Sequence, residues 1–144
     1  MNLKQGEFTM IGKHFVLTGG TSGLGKAILK ALLSKRAYVT VLARNPDKLK
    51  QFATQYDAEH LNIIKCDLQS QQEIIDLKEY FQHHTIDGLI YSSGLGYFKS
   101  IEDHTFVEML ETYKLNVLHF NILMKVLQPA FSKTPIIVGI GSQA

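Results

Sequence analysis

Thr18-Gly19-Gly20-Thr21-Ser22-Gly23-Leu24-Gly25 decides how the rest of the chain is read. An apolar run of β type, His14-Phe15-Val16-Leu17-Thr18, leads into it. A helical pattern leaves it, with apolar residues at Leu24, Ala27, Ile28, Ala31 and Leu32 in the i, i+3, i+4 rhythm of one buried face. A strand that turns through glycines into a helix leaves several backbone N–H groups at the helix start without partners. Together with the positive end of the helix dipole, these amides form an anion site suited to a pyrophosphate. Gly19 permits the tight turn, Gly23 lets a phosphate approach the backbone, and Gly25 lets the helix pack closely on the strand. The alternative is a glycine-rich loop that only connects two elements; against it, glycine spacing, strand before and helix after all agree.

Strand and helix signals then alternate without a break, which predicts βα units and a parallel sheet. The first helix is expected to run to about Arg36, where Lys35 and Arg36 suit its negative end. Tyr38 to Leu42 reads as a second strand, and Asn45-Pro46 as an N-cap and first helical residue of a helix to about Tyr56. Leu61 to Lys65 reads as a third strand. Ser70 with Glu73 predicts a capping box for a helix burying Ile74, Leu77 and Phe81. Gly88 to Ser92 is the fourth strand, Asp103 to about Phe131 a long helical region, and Pro135 to Ile140 a fifth strand.

The 144 residues suit one domain of ordinary size, and 45% hydrophobic with 19% charged residues suits a globular protein. A formal net charge of +2, with cations scattered rather than striped among aromatics, gives no sign of a nucleic-acid partner. The single cysteine, Cys66, allows no internal disulfide and fits a reducing compartment. No stretch has the apolar length of a signal peptide or membrane span, so the expected setting is cytoplasmic. The adjacent His83-His84 pair cannot face one metal together from a helix, no other spacing suggests zinc, and no metal is expected. Neither a Gly-x-Ser-x-Gly elbow nor an ATP P-loop is present.

The spacing G-x-x-x-G-x-G, opened by threonine, resembles the short-chain dehydrogenase/reductase family, in which this turn holds the adenosine and pyrophosphate of NAD(P). The resemblance implies a Rossmann-like, doubly wound parallel α/β sheet of about five strands. It also implies cofactor contacts from Gly19, Thr21, Ser22, Gly23, Leu24 and Gly25. At the end of the second strand, Ala43 stands where NAD-preferring members carry an acid, and Arg44 follows, which favours NADP over NAD. A second cation before the middle glycine, common in NADP users, is missing, because that position is Ser22. The alternative is a solvated arginine before a helix cap.

Asp67-Leu68 resembles the family's turn beside the adenine, with Asp67 accepting from the ring amine; a local turn former is the other reading. Tyr91-Ser92-Ser93-Gly94 stands in place of Asn-Asn-Ala-Gly, and only Gly94, beside the cofactor ribose, matches. Asn116 shares a helical stripe with Tyr113, Val117 and Phe120, which points an amide into an apolar face. It matches the asparagine that in the family bends this helix and holds a water in a proton relay; a buried amide satisfying backbone groups is the alternative. Ser142 matches the serine that positions the substrate carbonyl, or simply ends a strand.

The family's central acid is a tyrosine with lysine four residues later, the cation lowering a phenol pKa that is ordinarily near 10. None of the six tyrosines here has lysine at i+4. The chain therefore resembles the N-terminal part of such a reductase, ending before that motif. The expectation is an NADP-dependent oxidoreductase lineage acting on a small carbonyl or alcohol, with this chain poorly active alone. The alternative is a non-catalytic dinucleotide-binding or interaction module whose open sheet edge another chain completes. An interrupted frame or trimmed chain is a third reading. A fifth strand at the sheet edge, uncharged and rich in isoleucine and valine, also predicts self-association.

Overall fold

The computed structural model describes residues 8–21, 23–56 and 59–141. Five strands form one parallel sheet: β1 (His14–Thr18), β2 (Tyr38–Ala43), β3 (Leu61–Lys65), β4 (Ile86–Tyr91) and β5 (Phe131–Gly139). Their order across the sheet is β3-β2-β1-β4-β5. The helices are α1 (Gly23–Ser34), α2 (Asp47–Ala53), α3 (Gln71–Phe81), α4 (Phe106–Tyr113) and α5 (His119–Leu127). A π-helical turn, Lys114–Leu118, joins the last two.

Strand alternation sorts side chains onto two faces. Phe15, Leu17, Val39 and Val41 pack with Leu29, Leu32 and Leu33 of α1 and Leu49 of α2. On the other face Val16, Leu42 and Leu89 meet Ile74, Leu77 and Phe81 of α3 and Leu123 and Leu127 of α5. Each such side chain taken wholly out of water contributes about 1.5–3 kcal/mol before entropy is counted. The result is the doubly wound Rossmann-like α/β sheet expected from the sequence.

Several boundaries differ from expectation for local reasons. The buried stripe of α1 is Gly25, Leu29, Leu32 and Leu33, one residue round from the expected one, so Leu24 is exposed. Gly25 sets that rotation because it must face the loop backbone. The helix ends at Ser34, with Arg36 at φ 63° and two bonds, Arg36 N–H to Leu33 O and Ala37 N–H to Leu32 O. This is a Schellman ending with arginine in the place glycine usually takes. α2 stops at Ala53 rather than near Tyr56. β4 begins at Ile86 and β5 at Phe131, both earlier than expected. Pro135 is tolerated because β5 is an edge strand.

At the opposite end of β1 from the glycine turn, His14 is buried. Its Nδ1 donates to Thr85 O at 3.1 Å, and Nε2 meets Thr40 Oγ1 at 2.8 Å. Burial is the main cause that lowers its pKa from the ordinary 6.5; the His84 ring lowers it further, while the Thr85 carbonyl and Asp87 oppose. Below pH 6.5 the unfolded chain takes a proton that folded His14 refuses, so stability is full above that pH and falls as pH drops. The slope from this group is at most about 1.4 kcal/mol per pH unit. Urea unfolding at pH 7.5 and pH 5.5 should show His14→Gln, which keeps polar atoms but not the titration, losing less than wild type. Equal losses would contradict this assignment.

Candidate functional site

The strand order reverses between β1 and β4, and a cleft of about 520 Å³ opens there at the carboxyl ends of the strands. Its centre is the glycine turn. Gly19 has φ 72°, and a Cβ there would stand 2.5 Å from Ser92 O. Thr18 Oγ1 accepts from Ser92 N–H at 3.0 Å, locking the end of β1 to the end of β4. A Cβ on Gly25 would lie 1.8 Å from Gly19 O, so the start of α1 is folded directly onto the turn. Gly23, at φ 55°, has open space around its would-be Cβ. The first turn of α1 carries no acidic side chain, so no carboxylate within it offsets the positive end of its dipole. Gly19, Thr21, Leu24 and Gly25 line the cleft. Ser22 lies outside the described residues.

The far side is built from the ends of β2 and β3. Arg44, Asn45 and Lys48 border it together. Asn45 Oδ1 accepts from Asp47 N–H at 3.2 Å and starts α2, and Asp47 pairs with Lys50 at 3.0 Å. Lys48 makes no ion pair among the described residues and was missed by sequence reading. It lies in the first turn of α2, four residues past Arg44, on the same stretch of the cleft wall.

Asp67 and Leu68 line the cleft above β3. Asp67 Oδ1 accepts from Gln69 N–H at 2.9 Å, and Asp67 O accepts from Ser70 N–H at 2.9 Å. The expected capping box is only half formed. Ser70 Oγ accepts from Glu73 N–H at 3.3 Å, but the Glu73 carboxylate turns to Asp67 N–H at 2.5 Å. With Ser70 N–H already held by Asp67 O, Glu73 serves the turn instead of the cap. Burial, reinforced by the nearby carboxylates of Glu73, Asp67 and Asp76, pushes the Cys66 thiol up to about 12. It stays protonated and is no nucleophile.

Beyond β4 the expected geometry needs correction. Asn116 does not point into an apolar face: its stripe mates Tyr113 and Val117 are 57% and 42% exposed, and Asn116 is exposed too. The π turn inserts a residue, and the buried ladder becomes Leu115, His119, Leu123 and Leu127. Asn116 instead clasps one residue, accepting from Leu95 N–H and donating to Leu95 O, both at 2.8 Å. A Cβ on Gly94 would lie 3.5 Å from Asn116 Oδ1. Gly94 and Leu95 line the cleft; Asn116 bounds it only through them.

Tyr91 is buried, stacks on Phe120 at 4.6 Å and donates its hydroxyl to Leu115 O at 2.5 Å. Burial pushes its pKa up to about 12, so it is a brace for the π turn and not a proton donor poised near neutrality. His119 Nδ1 donates to Leu68 O. Ser142 falls outside the described residues; Ile140, two positions earlier, lines the cleft and donates its N–H to Tyr91 O at 2.9 Å.

Comparison with known proteins fits this geometry. The family model described as short chain dehydrogenase matches residues 13–144. The chain is 30% identical over 142 residues to the PIGF/3-ketodihydrosphingosine reductase fusion protein of Schizosaccharomyces pombe, covering 88% of this chain and 28% of that protein. The short-chain dehydrogenase/reductase SDR:Glucose/ribitol dehydrogenase from Brucella melitensis superposes with a TM-score of 0.88 at 24% identity, over 95% of this chain and 59% of that one. The Pseudomonas aeruginosa RhlG/NADP active-site complex gives 0.77 at 24%, over 86% and 50%. The chain spans less than half the length of the curated relatives it matches. With the match running from the start of β1 through the last strand, the chain belongs to the short-chain dehydrogenase family.

Proposed function

We propose that this chain is the nucleotide-binding part of an NADP-dependent short-chain oxidoreductase. One observation carries the reading: the glycine turn at the start of α1, the cations Arg44 and Lys48, and the Asp67-Leu68 turn border a single cleft. A dinucleotide laid across it would set its pyrophosphate on the glycine turn and its adenine against Asp67 and Leu68. A 2′-phosphate would meet Arg44 and Lys48, where Ala43 offers no carboxylate to repel it. The NADP named for the Pseudomonas neighbour is consistent with this choice. NAD, lacking that phosphate, should bind less tightly.

When bound, the nicotinamide supplies or takes the hydride that interconverts carbonyl and alcohol. Ser142 is proposed to orient the substrate oxygen. Asn116, through Leu95, is proposed to shape the wall beside it and to hold a relay water. The substrate is proposed to be a small carbonyl or alcohol compound; 3-ketodihydrosphingosine is the one in the name of the Schizosaccharomyces relative. No tyrosine has lysine at i+4, so the 144-residue chain should turn over slowly or not at all by itself. Fluorescence titration tests the binding claim: NADPH should be bound in preference to NADH. Binding of neither would remove the proposal.

A second reading, an interaction module, is favoured by exposed apolar surface. Ile136 on the β5 edge is 59% exposed and Phe106 on α4 is 90% exposed. Light scattering across concentration should then show mass rising through self-association. A cooperative monomer at every concentration would contradict it. The proposed setting is cytoplasmic, in keeping with a lone buried thiol; no helix among the described residues is long and apolar enough to cross a membrane.

A further inference from the structure

We propose that His119 is a positioning residue for the adenine end of the nucleotide, holding the Asp67-Leu68 turn in place through its bond to the Leu68 carbonyl. The proposal rests on the NADP reading above.

His119 opens α5 and is 3% exposed, an unusual place for an imidazole unless it is paired. The other buried polar side chains among the described residues, His14, Thr18 and Thr40, all bond within the sheet or at its strand ends. His119 alone of these reaches from the helical layer to a loop of the cleft, across 51 positions of sequence. Its partner is a carbonyl, which can only accept, so Nδ1 carries the hydrogen.

The turn's own bonds fix its shape but not its place. Asp67 is held by Gln69, Ser70 and Glu73, all within the same loop and the first turn of α3. Cys66 N–H, bonded to Ala43 O at 3.0 Å, ties the start of the turn to β2, and the imidazole supplies the anchor on the helical side. It acts in apolar surroundings, since Leu68 shares one buried cluster with Leu115 and Leu123. A hydrogen bond there is stronger than in water, and its loss leaves a buried carbonyl unpaired.

The π turn brings the ring to that position. His119 N–H bonds to Lys114 O, five residues back, and the inserted residue rotates α5 by about 100° relative to an unbroken helix. Without that rotation the ring would not face Leu68. The helix irregularity, braced by Tyr91 on Leu115 and Asn116 on Leu95, is thereby coupled to the adenine turn.

The test compares wild type, His119→Leu and His119→Asn in titrations with NADPH and with adenosine 2′,5′-bisphosphate. Leucine fills the space without a donor; the asparagine amide can place a donor near Nδ1. His119→Leu should weaken both ligands roughly three- to tenfold, the range of one neutral hydrogen bond, and His119→Asn should recover to within about twofold. Equal binding by His119→Leu and wild type, or no recovery in His119→Asn, would overturn the proposal while leaving the NADP reading intact. A wild-type chain that binds neither ligand would remove the NADP reading and this proposal with it. Imidazole nitrogen NMR on the wild-type chain needs no variant. It should show the hydrogen of His119 on Nδ1, where the Leu68 carbonyl accepts it, and the resonance should shift when the bisphosphate is added. An Nε2–H tautomer, or a resonance indifferent to the ligand, would overturn the proposal.

Discussion

Gly25→Ala should abolish nucleotide binding and cost at least about 3 kcal/mol of stability, the upper range for overpacking against atoms that cannot move aside. The new methyl would stand 1.8 Å from Gly19 O and 2.6 Å from Gly19 C, both backbone atoms of the turn. Relief requires α1 to lift off the loop, which pulls its amides away from the place where the diphosphate sits. Gly23→Ala is the informative contrast. It has open space but φ 55°, so its stability should fall only by the left-handed penalty of about 1–2 kcal/mol, and any loss of NADPH binding would come from the methyl standing where the phosphate approaches. Urea unfolding with NADPH titration on both variants decides the point. A Gly25→Ala protein that unfolds and binds like wild type would contradict the close packing on which the site depends.

The second large effect is on cofactor choice. Arg44→Ala with Lys48→Ala should weaken NADPH by roughly 30- to 150-fold, about 2–3 kcal/mol for two charge-assisted contacts discounted for exposure. NADH, with no 2′-phosphate to lose, should change by less than about threefold. The wild-type preference should also shrink as salt is raised, because both cations stand at the cleft's solvent side. If the double variant weakens both cofactors equally, the cations serve the fold or the pyrophosphate and not the discriminating phosphate.

Much of the fold could be read in advance because local chemistry and tertiary need agree there. His14–Thr18 and Leu61–Lys65 are short runs with apolar centres between turn signals, and their bounds matched. Ile74, Leu77 and Phe81 repeat with the helix and are buried as expected. The misses occur where a long-range partner overrides a local signal. Glu73 reads as a capping residue, yet Asp67 N–H takes its carboxylate. Arg36 carries a left-handed φ that sequence rules reserve for glycine.

The long helical region breaks because its two halves answer to different surroundings. Thr105 and Glu108 form a full capping box that starts α4, a Thr-x-x-Glu signal present in the sequence but passed over. The π turn carries only Asn116 as a mark, through its resemblance to the family's helix-bending asparagine, while Tyr91, Leu95 and Leu68, which its residues and the adjoining His119 bond, lie on other elements. The same distinction governs the site. Gly19, Thr21, Leu24, Gly25, Arg44, Asp67, Leu68 and Gly94 were legible from motif spacing and converge on the cleft. Lys48 was not, because only the packing of α2 brings it to the cleft, and nor was His119, which α5 sets against the Leu68 carbonyl behind the lining.

The amides of the glycine turn are proposed to receive the diphosphate of NADPH. Amide-resolved NMR of the chain titrated with NADPH tests it most directly. The largest shifts should fall on Gly19 to Gly25, with a second set at Arg44 and at Asp67 and Leu68. Saturable shifts confined to other surfaces, with the turn unmoved, would contradict it.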